Sequence, residues 1–195
     1  NAQEEVKEAK GFGFAKGNII VEGNLGFNSG KETLSAAGTD FEENKTSGFS
    51  FNPKAGYFVS DKLAVGVELG IGSGKEETTD LIANTTDEEK TNSFGAGVFA
   101  RYYFLDLGQR FKTYTEAGLG FGSTKNEMNG TETSKVTNFG LGIDLGINYF
   151  VTENFAINFG LADVLAFNSS KTEVPGGGES KGSEISGNFN VFNNF

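Results

Sequence analysis

The sequence predicts an all-β chain: a transmembrane, up-and-down antiparallel β-barrel of eight strands, with short turns at one end and long loops at the other. Three observations predict it. Eight stretches alternate large apolar residues with small or polar ones at the strand period of two. The connections between them are alternately short and long. The face opposite the apolar one is mainly Gly, Asn, Ala and Ser with about one charge per strand, where a solvated face would be dense in Lys, Glu, Thr and Gln.

The first strand, from about Asn18 to Phe27, sets Ile19, Val21, Leu25 and Phe27 against Glu22, Asn24 and Gly26. The second, about Gly48 to Val59, sets Phe49, Phe51, Ala55, Tyr57 and Val59 against Asn52, Lys54 and Gly56. The third alternates most cleanly, with Leu63, Val65, Val67, Leu69 and Ile71 opposite Ala64, Gly66, Glu68 and Gly70. In the fourth, Phe94, Val98, Tyr102 and Phe104 oppose Gly95, Gly97, Phe99, Arg101 and Tyr103. The fifth has Ala117, Leu119 and Phe121 opposite Tyr114, Glu116, Gly118 and Gly120. The sixth has Phe139, Leu141, Ile143, Leu145, Ile147 and Tyr149 opposite Gly140, Gly142, Asp144, Gly146 and Asn148. The seventh places Phe155, Ile157, Phe159 and Leu161 against Ala156, Asn158 and Gly160. The last alternates Ile185, Phe189, Val191 and Phe195 with Ser186, Asn188, Asn190 and Asn194, although Phe192 falls on its polar side.

Tight turns are expected at Ser60-Asp61-Lys62 and Thr152-Glu153-Asn154, within two closely similar segments, 57–65 and 149–157. A somewhat longer turn spans Leu105 to Arg110. The other connections, Asn28–Ser47, Ser73–Asn92, Ser123–Lys135 and Asn168–Glu184, are long and polar. In a meander this puts all short turns at one end, the asymmetry of barrels with periplasmic turns and extracellular loops. The domain reading is a periplasmic lead-in over 1–16 and a barrel over 17–195.

Alternation alone fits a soluble barrel with its apolar face inside. Small residues on the polar face suit the crowded interior of an eight-stranded barrel, so the large apolar face is expected to meet lipid. Tyr57, Tyr102, Phe104 and Tyr149, near the turn ends, are the expected interfacial aromatic girdle. In hydrocarbon an open edge would leave costly unpaired backbone groups, so the first and eighth strands are expected to pair.

Composition narrows the chemistry. The chain has 195 residues, 29 Gly, 20 Phe and no Cys, His or Trp. Without thiolate or imidazole, zinc, copper, haem and iron–sulfur sites are not expected, and no cofactor or metal is assigned. A net charge of −10 with scattered cations argues against nucleic acid. No window approaches the roughly 18 consecutive apolar residues of a membrane helix, which leaves barrel strands untouched. Gly70-Ile71-Gly72-Ser73-Gly74-Lys75 lacks the phosphate-loop spacing and leads into no helix. The acidic runs Lys75–Asp80 and Asp87–Lys90 lack calcium-loop spacing.

The Gly-alternating strands, Tyr57-Phe58-Val59-Ser60-Asp61-Lys62-Leu63-Ala64-Val65, Ala100-Arg101-Tyr102-Tyr103-Phe104 and the terminal Phe195 resemble small outer-membrane barrels of the OmpA/OmpX type. The phrasing is similar to that of Bacteroidota, and the resemblance covers about 17–195. It implies export with a cleaved signal peptide to the outer membrane of a Gram-negative cell. It also implies reading of the last strand, with Phe189, Val191 and Phe195, by the barrel-assembly machinery. Lipid, lipopolysaccharide and an outer-membrane protein complex are the implied partners. No peptidoglycan-binding domain is expected after the last strand. Barrel enzymes of this class use a His beside a nucleophile or water, so no catalytic residue is assigned.

The remaining candidate site is the set of charges on the inner face: Glu22, Lys54, Glu68, Arg101, Glu116 and Asp144. Each stands about three to six residues from its short-turn end, which places them in one slab of the lumen. Buried charges need partners, so the expectation is an ion-pair network that plugs the barrel of a structural or interaction protein. The alternative is a porin-like narrow path for ions or small solutes, favoured by four carboxylates facing two cations.

Overall fold

The computed structural model describes residues 11–187. They form β1 (Ile19–Ala36), β2 (Thr39–Phe58), β3 (Leu63–Asp80), β4 (Thr85–Leu107), β5 (Phe111–Met128), β6 (Thr131–Phe150), β7 (Ala156–Val174) and β8 (Gly178–Ser186). All eight lie in one antiparallel sheet in chain order, so the up-and-down topology is the expected one. Among the described residues no pairing joins β8 to β1. Phe189, Val191 and Phe195, like residues 1–10 of the lead-in, lie outside the described residues.

The strands are longer than the alternation suggests. The four long connections are not open loops but paired continuations of the strands, as Asn28↔Gly48 running up to Ala36↔Thr39 illustrates. Both faces of these extensions are largely polar, with single apolar residues such as Leu34 and Val136, which erases the apolar alternation that marks a strand. Their turns are tight. Ala37-Gly38 and Asn129-Gly130 both take positive φ at the two central positions, the I′ geometry whose twist matches the flanking strands.

The two similar short turns fold alike. Ser60 Oγ accepts hydrogen bonds from the amides of Lys62 and Leu63, and Thr152 Oγ1 accepts from those of Asn154 and Phe155. A hydroxyl at the first turn position thus takes two donors that the ladder leaves free.

The sheet is inside-out relative to a soluble protein. On the doubly paired β3, the side chains of Val65, Val67, Leu69 and Ile71 are 41–55% exposed. The buried hydrophobics are few, and most gather near the short-turn end: Phe58, Ala64, Tyr103 and Tyr114, with Phe14 and Ile20 against them. Continuous apolar surface of this kind is what a bilayer covers.

Two irregularities matter. Phe104 bulges out of the β4–β5 ladder, between Tyr103↔Tyr114 and Leu105↔Thr113. In β7, bulges fall on either side of the Asp144↔Asp163 pair. Leu161, expected on the apolar face, is half-buried there, and the interrupted phase brings Asp163 to the wall of the inner cavity.

Candidate functional site

The six charges singled out in the sequence come together. Register places Glu22 opposite Lys54 and Lys54 opposite Glu68. It also places Arg101 opposite Glu116 and Glu116 opposite Asp144. The contacts made are chords across the lumen rather than these neighbour pairs alone. Arg101, 2% exposed, sets its fork on Glu22, with Nη1 2.5 Å from Oε1 and Nη2 2.8 Å from Oε2. Its Nε donates to Glu116 Oε2 at 2.7 Å. Lys54 donates to the other oxygen of Glu116 and lies 3.2 Å from Glu68 Oε2. Glu22, Arg101, Glu116, Lys54 and Glu68 thus form one chain, joining β1 to β4, β4 to β5, β5 to β2 and β2 to β3.

Aromatic rings sandwich this belt. Phe99 lies 4.2 Å from the Lys54 ammonium, and Tyr114 lies 4.1 Å from the Arg101 guanidinium. Glycines make the room. A Cβ on Gly66 would sit 2.6 Å from Phe99 and 2.1 Å from the Ala55 carbonyl, and one on Gly146 would sit 2.3 Å from Tyr114. Beneath the belt, Tyr103 donates to Asn148 and Tyr114 to Asn158, both at 2.7 Å.

The short-turn mouth is covered from below by the segment before β1. The Gly17 amide donates to the Phe58 carbonyl at 2.8 Å and the Lys16 amide to Asp61 Oδ1 at 2.8 Å. This tether turns Phe14 into the opening, where its ring stacks on Phe58 at 4.3 Å and meets Tyr103 at 4.6 Å. Phe150 closes on it from the far side at 5.2 Å.

Above the belt the lumen opens into a cavity of about 630 Å³ floored by Lys54, Glu68, Glu116 and Asp144 and walled by Asn52, Asn138 and many glycines. Gly118 and Gly142 would carry a Cβ with only ordinary contacts, so packing does not impose glycine there. They leave this part of the lumen wide.

Asp144 occupies the expected slab but takes no part in the ion pairs, and Asp163 stands opposite it. At the level of the belt, five inward carboxylates (Glu22, Glu68, Glu116, Asp144, Asp163) therefore face two cations (Arg101, Lys54), a formal excess of three negative charges there. Lys112, the nearest other cation in sequence, pairs with Asp106 at 2.7 Å instead.

Tyr57, Tyr102 and Phe104 are 45–49% exposed on the outer surface near the short turns. Tyr149 is half-buried against the Phe111 ring, 4.8 Å away. Sequence reasoning did not single out Phe14, Tyr103, Tyr114, Asn148 or Asp163 for the site. For the two tyrosines the signal was present: a large aromatic on a face otherwise built of glycine. For Asp163 there was none, because the bulges that turn it inward carry no residue signature.

The arrangement brings together no nucleophile with a base, and among the described residues no group of three or more His, Cys, Asp or Glu could hold a metal ion. What it can do is block a lumen with charge and aromatic bulk while leaving a wide polar vestibule above.

The family described as outer membrane protein beta-barrel domain matches this sequence over residues 9–191. No curated protein matches it. Among solved structures, it is similar to the crystal structure of the outer membrane protein OprG from Pseudomonas aeruginosa. The two share 15% sequence identity over 90% of this chain and 92% of that one, with a TM-score of 0.47.

Proposed function

The chain belongs to the outer membrane protein beta-barrel domain family, and from that premise we propose that it is a non-enzymatic integral protein with a plugged interior. It serves the outer membrane as a structural or interaction protein, or as a subunit of a larger complex, after export with a cleaved signal peptide and insertion by the barrel-assembly machinery. The observation that carries this reading is the unbroken Glu22–Arg101–Glu116–Lys54–Glu68 chain across the lumen. A buried bidentate pair costs several kcal/mol to open, so a passing solute would have to displace it at every transit. Phe14 adds a second, apolar barrier below.

The runner-up is a narrow pore for ions or small solutes. The wide chamber and the surplus carboxylates Asp144 and Asp163 favour it, since an acidic lining attracts cations. Planar-bilayer recording of the refolded chain separates the two. The plugged reading expects no sustained unitary conductance in molar KCl. Reproducible, long-lived steps from the unmodified chain would replace it with the pore.

A further inference from the structure

On all eight strands, the outward face continues past its last large apolar residue to a lysine four residues beyond: Phe27 to Lys31, Ile71 to Lys75, Phe121 to Lys125 and Phe167 to Lys171 on the odd-numbered strands. The even-numbered strands run the other way and match them, as Phe49 to Lys45 and Phe139 to Lys135 show. Register joins the lysines in facing pairs, Lys31↔Lys45, Lys75↔Lys90, Lys125↔Lys135 and Lys171↔Lys181. Eight of the chain's 16 cationic residues therefore stand in one tier, one to a strand. At the short-turn pairings the apolar residues and the lysines step together by two (Phe49↔Ser73 with Lys45↔Glu77), so the tier keeps a constant height above the apolar band. Four residues of strand are about 13 Å, less once the strand tilts, and a lysine stem reaches several ångströms back down.

A second tier lies above the first. Glu43, Glu77, Glu127 and Glu173 stand two residues beyond the lysines of their strands, and Glu88 and Glu179 do so on the opposite strands. Lysine and glutamate bridge between tiers: Glu43 takes Lys31 and Lys45 at 2.6 Å each, and Glu179 takes Lys171 at 2.9 Å and Lys181 at 2.7 Å. A ladder serving only to hold hairpins together would work with either sign below. Here the cation is always next to the apolar band and the anion always away from it.

We propose that this collar binds the phosphate groups of a lipid A-type glycolipid in the outer leaflet, a reading that rests on the outer-membrane assignment above. The chemistry that recognises the ligand is the lysine tier. It lies at the apolar–polar boundary of the long-connection end, where phosphate attached to acyl-chain sugars meets the barrel. The glutamate tier repels phosphate from above and so fixes the height at which it docks. Repetition around the wall suits an annulus of lipid, which approaches from every side, better than one protein partner, which touches one.

The test uses the full chain refolded into detergent micelles and titrated with diphosphorylated lipid A, with retained lipid counted by native mass spectrometry. The unmodified chain is expected to retain lipid A. The quadruple variant Lys31→Gln, Lys75→Gln, Lys125→Gln and Lys171→Gln is expected to lose at least about tenfold in affinity. The matched variant Glu43→Gln, Glu88→Gln, Glu127→Gln and Glu173→Gln is expected to bind as well or better, and lipid A stripped of phosphate should not be retained. Equal binding by the lysine variant overturns the collar. Equal retention of phosphatidylglycerol overturns the glycolipid in favour of any lipid phosphate. Heat-modifiable migration on electrophoresis and insertion into vesicles, scored for every variant, keep the readings apart. A chain that does not insert removes the outer-membrane reading, whereas one that inserts without lysine-dependent retention removes only the collar.

Discussion

Arg101 shows how one residue organises the interior. Its three donating nitrogens reach carboxylates on β1 and β5, and its plane lies over Tyr114. Removing it leaves Glu22 and Glu116 facing each other in a low-dielectric space. Arg101→Met is therefore expected to destabilise the barrel by about 3–5 kcal/mol, read as a lowered urea midpoint in micelles. Arg101→Lys, which keeps the charge but cannot form the fork, should fall between the two. If Met stabilises the barrel, the ion pairs cost more than they return and the belt is not what holds the interior. At this scale the sequence was legible where alternation was regular: the six inner charges and the outward aromatics could be named from their phase. Asp163 could not, because a bulge shifts phase without changing composition.

At the scale of the element, the hairpin extensions depend on charge rather than burial. Glu43, Glu88 and Glu179 have their carboxyl pKa lowered from the ordinary value, first by hydrogen bonds from Lys31, Lys75 and Lys181 respectively, then by those from Lys45, Lys90 and Lys171. A carboxyl depressed in the folded state contributes stability above its unfolded pKa, and that contribution is lost as pH falls through the folded value. The extensions are thus expected to loosen below the ordinary carboxylate range while the apolar-banded strands hold. Cross-strand nuclear Overhauser effects at the Lys171↔Lys181 level should fade as pH falls below about 4, the ordinary glutamate value, with those at Val67↔Val98 unchanged. Extensions that stay paired throughout would show that backbone ladder and I′ turns suffice. These strands escaped sequence reading because polar residues on both faces erase the period. Asn129-Gly130 is a hairpin signal in its own right.

For the whole molecule, ion pairs at the belt and stacked rings at the short-turn mouth stand at two heights of the lumen, and the plugged reading proposed above takes each as a barrier. Either closure should suffice alone. Phe14→Ala and Arg101→Ser are each expected to remain non-conducting, whereas the double variant conducts and prefers cations, because Glu68, Asp144 and Asp163 then line the path. Bilayer recording with a KCl gradient reads both the steps and the sign of the reversal potential. A single variant that opens would mean that one closure carries the whole barrier.

Alternation at period two and the order of short and long connections determined by themselves that this is an eight-stranded up-and-down barrel, with its small residues inward. They suffice because the strands, outside the bulges of β4 and β7, obey the same local rule, and a one-residue slip would turn a whole apolar face inward. The tertiary structure alone decided which charges meet, that Phe14 folds back into the mouth, and that the lysines of all eight strands share one tier. Those relations depend on register, bulges and strand tilt, which set distances between residues far apart in the chain. No local pattern encodes them.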